Sequence, residues 1–284
     1  MAKQYPQDGI GTPPANTLLQ SLHDLPRGPT GEILTNMLPT PDTSHVSFNT
    51  IYEPSEDSFL LLDTLSSTTE VTWLRKRFAS KTPYLVEVGT GSGVVIAFLT
   101  ANAEQVFGRP ILSLGIDVNA NACHATKETV RKATAEQTAG SLYLGSITGD
   151  LCSSLLPGSV DVLVFNPPYV PSEELPALPG LERKYRDKFE HDSHLLALTT
   201  DGGEEGMETT TRLFAQIPYL LSPSGVAYIL LCAQNRPEAV KSWVAEDLPK
   251  GPWLSETVGS SGKKGGWEKL QIVRIWNEKA AGNG

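Results

Sequence analysis

The chain has 284 residues, 39% of them hydrophobic, which is enough for one large buried core. Its 32 acidic and 23 basic residues leave a formal net charge of −9, unfavourable for tracking a phosphate backbone. Cys123, Cys152 and Cys232 are isolated, odd in number and without Cys-x-x-Cys spacing, and no apolar run approaches membrane-spanning length, so a zinc site, a disulfide framework and a membrane anchor are all disfavoured.

Residues 1–36 carry Gly-Thr-Pro-Pro and Leu-Pro-Arg-Gly-Pro-Thr-Gly and few aromatics, so they bury little surface to offset ordering entropy. They are expected to form a mobile extension ahead of one domain at 37–279, with 280–284 as a frayed tail. They lack a basic-then-apolar-then-small leader pattern, and the cytoplasm is the expected compartment, with the nucleus second. After Tyr52, Ser55-Glu56-Asp57-Ser58 reads as an amphipathic helix start, capped by Ser55 with acids in its first turn. Residues 85–88 read as a strand, Gly89-Thr90-Gly91-Ser92-Gly93 as a glycine turn, and 94–99 as a helix. A dinucleotide fingerprint needs a sixth-position glycine where this chain has Val94. With Glu87 two residues ahead, the loop suits a ligand with an amino-acid end and no pyrophosphate, and S-adenosylmethionine is the candidate.

A further strand at 111–116 ends in Asp117-Val118, where a carboxylate can accept from both hydroxyls of a ribose. The competing role for Asp117 is a helix cap, for which Asn119 is the rival. A helix is expected at 119–139, with Lys127, Glu128, Arg131 and Lys132 on its solvated face. A strand at 141–144 leads to Gly149-Asp150-Leu151, a second carboxylate placed for an adenine amino group.

The apolar run 160–165 opens directly into Asn166-Pro167-Pro168-Tyr169. Two prolines stiffen this strand-end loop and leave carbonyls without N–H groups. The Asn166 side-chain oxygen and the Pro167 carbonyl can then accept both hydrogens of a planar NH2, with Tyr169 and Phe165 walling the group. The plain alternative is a Pro-rich turn closing a buried strand. Residues 172–200 are charged, with Glu182, Arg186 and Glu190 at helical spacing, and read as a short solvated helix or a substrate-docking rim. His191 and His194 in the same stretch are not expected to bind metal. A helix at 208–221, a buried strand at 225–231, a helix after Pro237 and two strands at 253–258 and 268–275 complete the alternation, with 259–266 as a flexible hairpin loop. The fold class is therefore α/β, a doubly wound and mostly parallel sheet.

Together these segments resemble the class I S-adenosylmethionine methyltransferases, which are Rossmann-like, and within them the HemK-like glutamine methyltransferases that share Asn-Pro-Pro-Tyr. The stretch Tyr52-Glu53-Pro54-Ser55-Glu56-Asp57-Ser58-Phe59-Leu60-Leu61 is similar to the entry segment of the eukaryotic and archaeal branch, and Gly202-Gly203-Glu204-Glu205-Gly206 to the family's Gly-Gly-x-x-Gly turn. The resemblance implies an antiparallel last strand, S-adenosyl-L-methionine as cofactor, and methylation of the glutamine in the Gly-Gly-Gln loop of a class 1 translation release factor. It also implies a small zinc-binding activator as heterodimer partner, seated beside the third strand. Around the cofactor it places Tyr52, Ser58, Glu87, Gly89, Gly91, Gly93, Asp117, Val118, Asp150, Leu151 and Asn166. Asn166, Pro167, Pro168 and Tyr169 would meet the substrate. A lysine acceptor, or an adenine or cytosine amino group on a flipped base, fits the same loop chemistry as an alternative.

Overall fold

A computed structural model describes residues 38–135, 140–179, 185–262 and 269–278. The expected extension at 1–36, the tail at 280–284, Glu182 and residues 263–266 of the hairpin loop lie outside the described residues.

From Pro39 onward, two helices precede the sheet, α1 (Glu56–Ser66) and α2 (Thr68–Arg77). Ser55 occupies the N-cap of α1 but makes no side-chain cap bond, contrary to expectation. Asp57, in the first turn, takes an otherwise orphan donor, its Oδ1 accepting from Ser58 N at 2.6 Å. In α2, Ser67 does cap, accepting from Glu70 N at 3.3 Å. The alternation then runs β1 (Tyr84–Val88), α3 (Val94–Ala101), α4 (Ala103–Phe107), β2 (Leu112–Asp117), α5 (Ala120–Ala133), β3 (Leu142–Thr148) and β4 (Val160–Phe165). It continues with α6 (Lys188–Thr200), α7 (Glu208–Leu220), β5 (Leu221–Cys232), α8 (Pro237–Glu246), β6 (Trp253–Ser260) and β7 (Leu270–Asn277).

Among the described residues, seven strands form one sheet in the order β3-β2-β1-β4-β5-β7-β6. Only β7 runs against its neighbours, pairing antiparallel with β5 and β6, so the last strand is reversed as expected. The chain steps outward from β1 in one direction to β2 and β3, and in the other to β4 and β5. The point of reversal lies between β1 and β4, the place where open α/β sheets bind ligands.

Several boundaries differ from the sequence expectations. Helix α5 ends at Ala133 and not at 139, and residues 136–139 lie outside the described residues. Strand β3 continues to Thr148, past a register shift opposite Ser113 and Leu114 that leaves Leu144 as the extra residue, next to Gly145 at φ 123°. Helix α6 begins only at Lys188, because Asp187 caps it by accepting from Glu190 N at 2.9 Å. The expected Arg186–Glu190 pair forms at 3.2 Å, across the helix start and outside its body.

All six residues of β4 are buried. Leu213, Phe214 and Ile217 of α7 and Val240 and Val244 of α8 join Val86, Leu163, Ala227 and Val273 of the sheet in one apolar cluster. A continuous apolar strand is what burial on both faces requires.

Candidate active site

Strand register assembles the site. Val88 pairs with Ile116 on one side and with Phe165 on the other, so the next residues, Gly89, Asp117 and Asn166, emerge level at the same sheet edge. Asp117 is in turn level with Thr148, which brings Gly149-Asp150-Leu151 to the same height, and Gly149 N donates to Asp117 O at 2.9 Å. A cavity of about 560 Å³ opens there. Of the residues picked from the sequence, Tyr52, Ser58, Glu87, Gly89, Gly91, Asp117, Val118, Asp150, Leu151, Asn166, Pro167, Pro168 and Tyr169 line it.

Gly93 is the exception. At φ 79° it turns away from the cavity lining, and a Cβ on it would stand 2.6 Å from Thr126 Cα. Close packing of the loop on α5 and the positive φ both call for glycine at this position. Gly91, at φ 51°, lines the cavity, and a Cβ there would meet nothing within 4 Å, so the loop backbone is open to an approaching group. Thr129 Oγ1 donates to Ser92 O at 2.6 Å and Thr126 Oγ1 to Thr90 Oγ1 at 3.0 Å, bracing the loop from behind.

The acids divide their work. Glu87 is buried, and its Oε2 accepts from Ile96 N at 2.9 Å, satisfying an orphan donor in the first turn of α3. Burial pushes its carboxyl well above the usual range, against that hydrogen bond and with a further upward push from Asp117. Asp117 accepts from Gly91 N at 2.9 Å with Oδ2 and from Asn119 N at 2.8 Å with Oδ1. Burial raises its pKa too, opposed by those backbone donors. The helix cap belongs to Asn119, whose side chain accepts from Asn121 N at 3.0 Å, so Asp117 is free of that role. Asp150 pairs with Arg212 of α7, which also lines the cavity and was not singled out from the sequence.

The proline loop leaves β4 with Asn166 half-buried and Pro167 buried. Asn166 Nδ2 donates to Asp57 Oδ2 at 3.0 Å, while Asn166 Oδ1 is buried without a hydrogen-bond partner among the described residues. Buried acceptors are nearly always satisfied, so an orphan at a cavity wall points to a donor that arrives with a ligand. Behind the loop, Gly202 N donates to Val170 O at 2.8 Å, and Asn235 Nδ2 donates to Tyr169 O at 3.3 Å and Glu205 O at 3.0 Å. His194 of α6 holds Ala177 O at 2.8 Å, and His191 contacts Asp192 at 3.2 Å. Asp57 and Asn235 were missed as site residues because their partners lie far along the chain, and no local spacing signals such a pairing.

A doubly wound sheet with one reversed last strand, and a cavity at its switch point between a glycine loop and an Asn-Pro-Pro-Tyr loop, defines a class I methyltransferase. The chain is 32% identical over 246 residues to the eRF1 methyltransferase catalytic subunit mtq2 of Schizosaccharomyces pombe, covering 84% of this chain and 96% of that one. It is 34% identical over 244 residues to the methyltransferase HEMK2 of Homo sapiens, covering 83% and 95%. A release factor glutamine methyltransferase of Bradyrhizobium diazoefficiens is 33% identical over 158 residues, covering 55% of this chain and 46% of its own length. No family model matches the chain. The chain belongs to the HemK-like protein-glutamine methyltransferase family, in the branch that holds the eRF1 methyltransferase subunit and HEMK2.

Proposed function

We propose that the chain transfers a methyl group from S-adenosyl-L-methionine to the side-chain amide nitrogen of the glutamine in the Gly-Gly-Gln loop of a class 1 translation release factor. The observation that carries this reading is the buried Asn166 Oδ1, without a partner among the described residues, at the cavity wall beside the glycine loop. The open face of Gly91 and the carboxylates of Asp117 and Asp150 fit the cofactor's methionine, ribose and adenine parts in that order. When bound, the cofactor supplies an electrophilic methyl on a sulfonium.

The chain's own residues supply alignment. An amide nitrogen is a poor nucleophile because its lone pair is delocalised into the carbonyl, so positioning carries most of the rate. Asn166 Oδ1 and the Pro167 carbonyl hold the two hydrogens of the substrate NH2, and Tyr169 and Phe165 wall the planar group. The same acceptors would favour the positive charge that grows on nitrogen as the N–CH3 bond forms and the methyl–sulfur bond breaks, a neutral thioether leaving and one of the two held protons passing to water. Asn166→Ala should leave cofactor affinity intact and slow single-turnover methylation of release factor by at least about a hundredfold. Mass spectrometry of the product, with DNA oligomers and lysine peptides as rival acceptors, is the test. A wild-type rate, or methyl found elsewhere than on the glutamine, would sink this reading.

The heterodimer partner is a small zinc-binding activator protein, and the working compartment is the cytoplasm. Support for the partner comes from β3, an edge strand with Leu142 55% and Leu144 49% exposed, the kind of apolar edge that another chain covers. Coexpression should give a one-to-one complex by sedimentation. An active monomer indifferent to the activator would count against it.

A further inference from the structure

Asp57 and Asn166 are 109 residues apart in sequence and meet at the cavity wall. Asp57 is 3% exposed. Its Oδ1 accepts from Ser58 N at 2.6 Å and Ser58 Oγ at 3.3 Å, and its Oδ2 accepts from Asn166 Nδ2 at 3.0 Å. An asparagine side chain turned over by half a revolution keeps its shape but exchanges a donor for an acceptor. A carboxylate has no hydrogen to give, so the contact is satisfied in only one of the two orientations, the one that leaves Oδ1 unbonded.

We propose that Asp57 is a positioning residue that locks the Asn166 amide with its oxygen available to the substrate N–H. The proposal rests on the reading of Asn166 as the acceptor for the reacting nitrogen. A substrate NH2 meeting Asn166 in the wrong orientation would face another NH2, with two donors opposed and nothing to accept. The Asp57 charge has a second effect. A hydrogen bond from Nδ2 to a carboxylate polarises the amide and makes Oδ1 the stronger acceptor, since linked hydrogen bonds reinforce one another. Asp57 also serves the start of α1 through Ser58, so loss of activity alone would not separate positioning from folding.

The substitution Asp57→Asn separates them. The new side chain keeps an oxygen for Ser58 N but turns an NH2 toward Asn166, which must then rotate to offer its own oxygen inward. Adding Asn166→Asp restores the complementarity in reverse, because the amide at 57 donates to the carboxylate at 166 and the second carboxylate oxygen is again left outside the pair. The full chain would be made as wild type, Asp57→Asn, Asn166→Asp, the double variant and Asn166→Ala. S-adenosylmethionine affinity would be read by calorimetry, and single-turnover methylation on a Gly-Gly-Gln peptide. Asp57→Asn should bind the cofactor within about threefold of wild type and methylate about a hundredfold more slowly, as for loss of one preorganised polar group. The double variant should be on the order of tenfold faster than Asp57→Asn alone, recovering part of that loss. If Asp57→Asn keeps the wild-type rate while Asn166→Ala is slow, the positioning inference fails and the reading of Asn166 stands. A double variant no faster than Asp57→Asn also overturns the inference. If Asn166→Ala is itself fast, the underlying reading fails.

Discussion

Gly206 packs so tightly beneath Tyr169 that a Cβ on it would stand 2.0 Å from the Tyr169 carbonyl oxygen. Gly206 also has φ 68°, a conformation that side chains resist. The Gly-Gly-x-x-Gly turn is therefore the floor on which the Asn-Pro-Pro-Tyr loop rests, and Asn235 ties the two together from the end of β5. Gly206→Ala should push the loop toward the cavity, reducing methylation by tenfold or more at saturating cofactor, since displacements of about 1 Å at a reacting centre cost up to about a hundredfold. S-adenosylmethionine affinity, read by calorimetry, should change much less. Equal losses in both would mean the turn supports the whole site and not the acceptor loop in particular.

Asp117→Ala makes the complementary prediction. On the proposed placement of the cofactor it removes an acceptor for ribose hydroxyls, with an expected loss of about 1.5–3 kcal/mol in cofactor binding. It also strips Gly91 N and Asn119 N of their partner, so thermal unfolding without ligand must be measured beside calorimetry. Unchanged cofactor affinity would reduce Asp117 to a tie between the glycine loop and α5.

The parts of the site legible in the sequence were those carried by strand ends. Glycines, acids and prolines that follow apolar runs are placed by the sheet itself, and register then lines up Gly89, Asp117 and Asn166 without further information. Contacts between distant segments were not legible. Asp57 looks like a first-turn acid, and nothing nearby in sequence announces that Asn166 will arrive beside it. Gly93 carries a constraint that the motif does not announce: Thr126 packs against it from behind the loop. Helix ends were set by caps the periodicity does not contain, such as Asp187, which starts α6 late.

Stability should fall with rising pH through Glu87. Burial holds its carboxyl well above the ordinary value, so the folded chain binds that proton more tightly than the unfolded chain. Its stabilising effect is full below the unfolded pKa and is lost as pH rises through the folded one. Glu87→Gln keeps an oxygen for Ile96 N and has no charge to bury. The variant should therefore gain stability relative to wild type between about pH 5 and pH 8, measured by urea denaturation without ligand. A difference that stays constant across that range would mean the carboxyl is not desolvated as described.

Glu70 tests the fold away from the cavity. It is 1% exposed and accepts from Arg274 Nη1 at 2.7 and 2.9 Å and from Tyr228 Oη at 2.8 Å, joining α2, β5 and β7, none of which contributes a cavity residue. Glu70→Leu would leave the Arg274 guanidinium held by exposed Glu256 at 2.7 Å and by the rings of Trp73 and Trp276, and would take one partner from the Tyr228 hydroxyl. Breaking a buried pair from one side costs about 3–5 kcal/mol, because the remaining charge stays desolvated. Adding Arg274→Met removes that stranded charge, and replacing a whole buried pair by apolar groups is often neutral or better. Urea denaturation should therefore show a large loss for Glu70→Leu and recovery in the double variant, with cofactor affinity unchanged in both. If the double variant is less stable than Glu70→Leu alone, Arg274 contributes through its contacts with Glu256 and the two tryptophans more than it costs in desolvation.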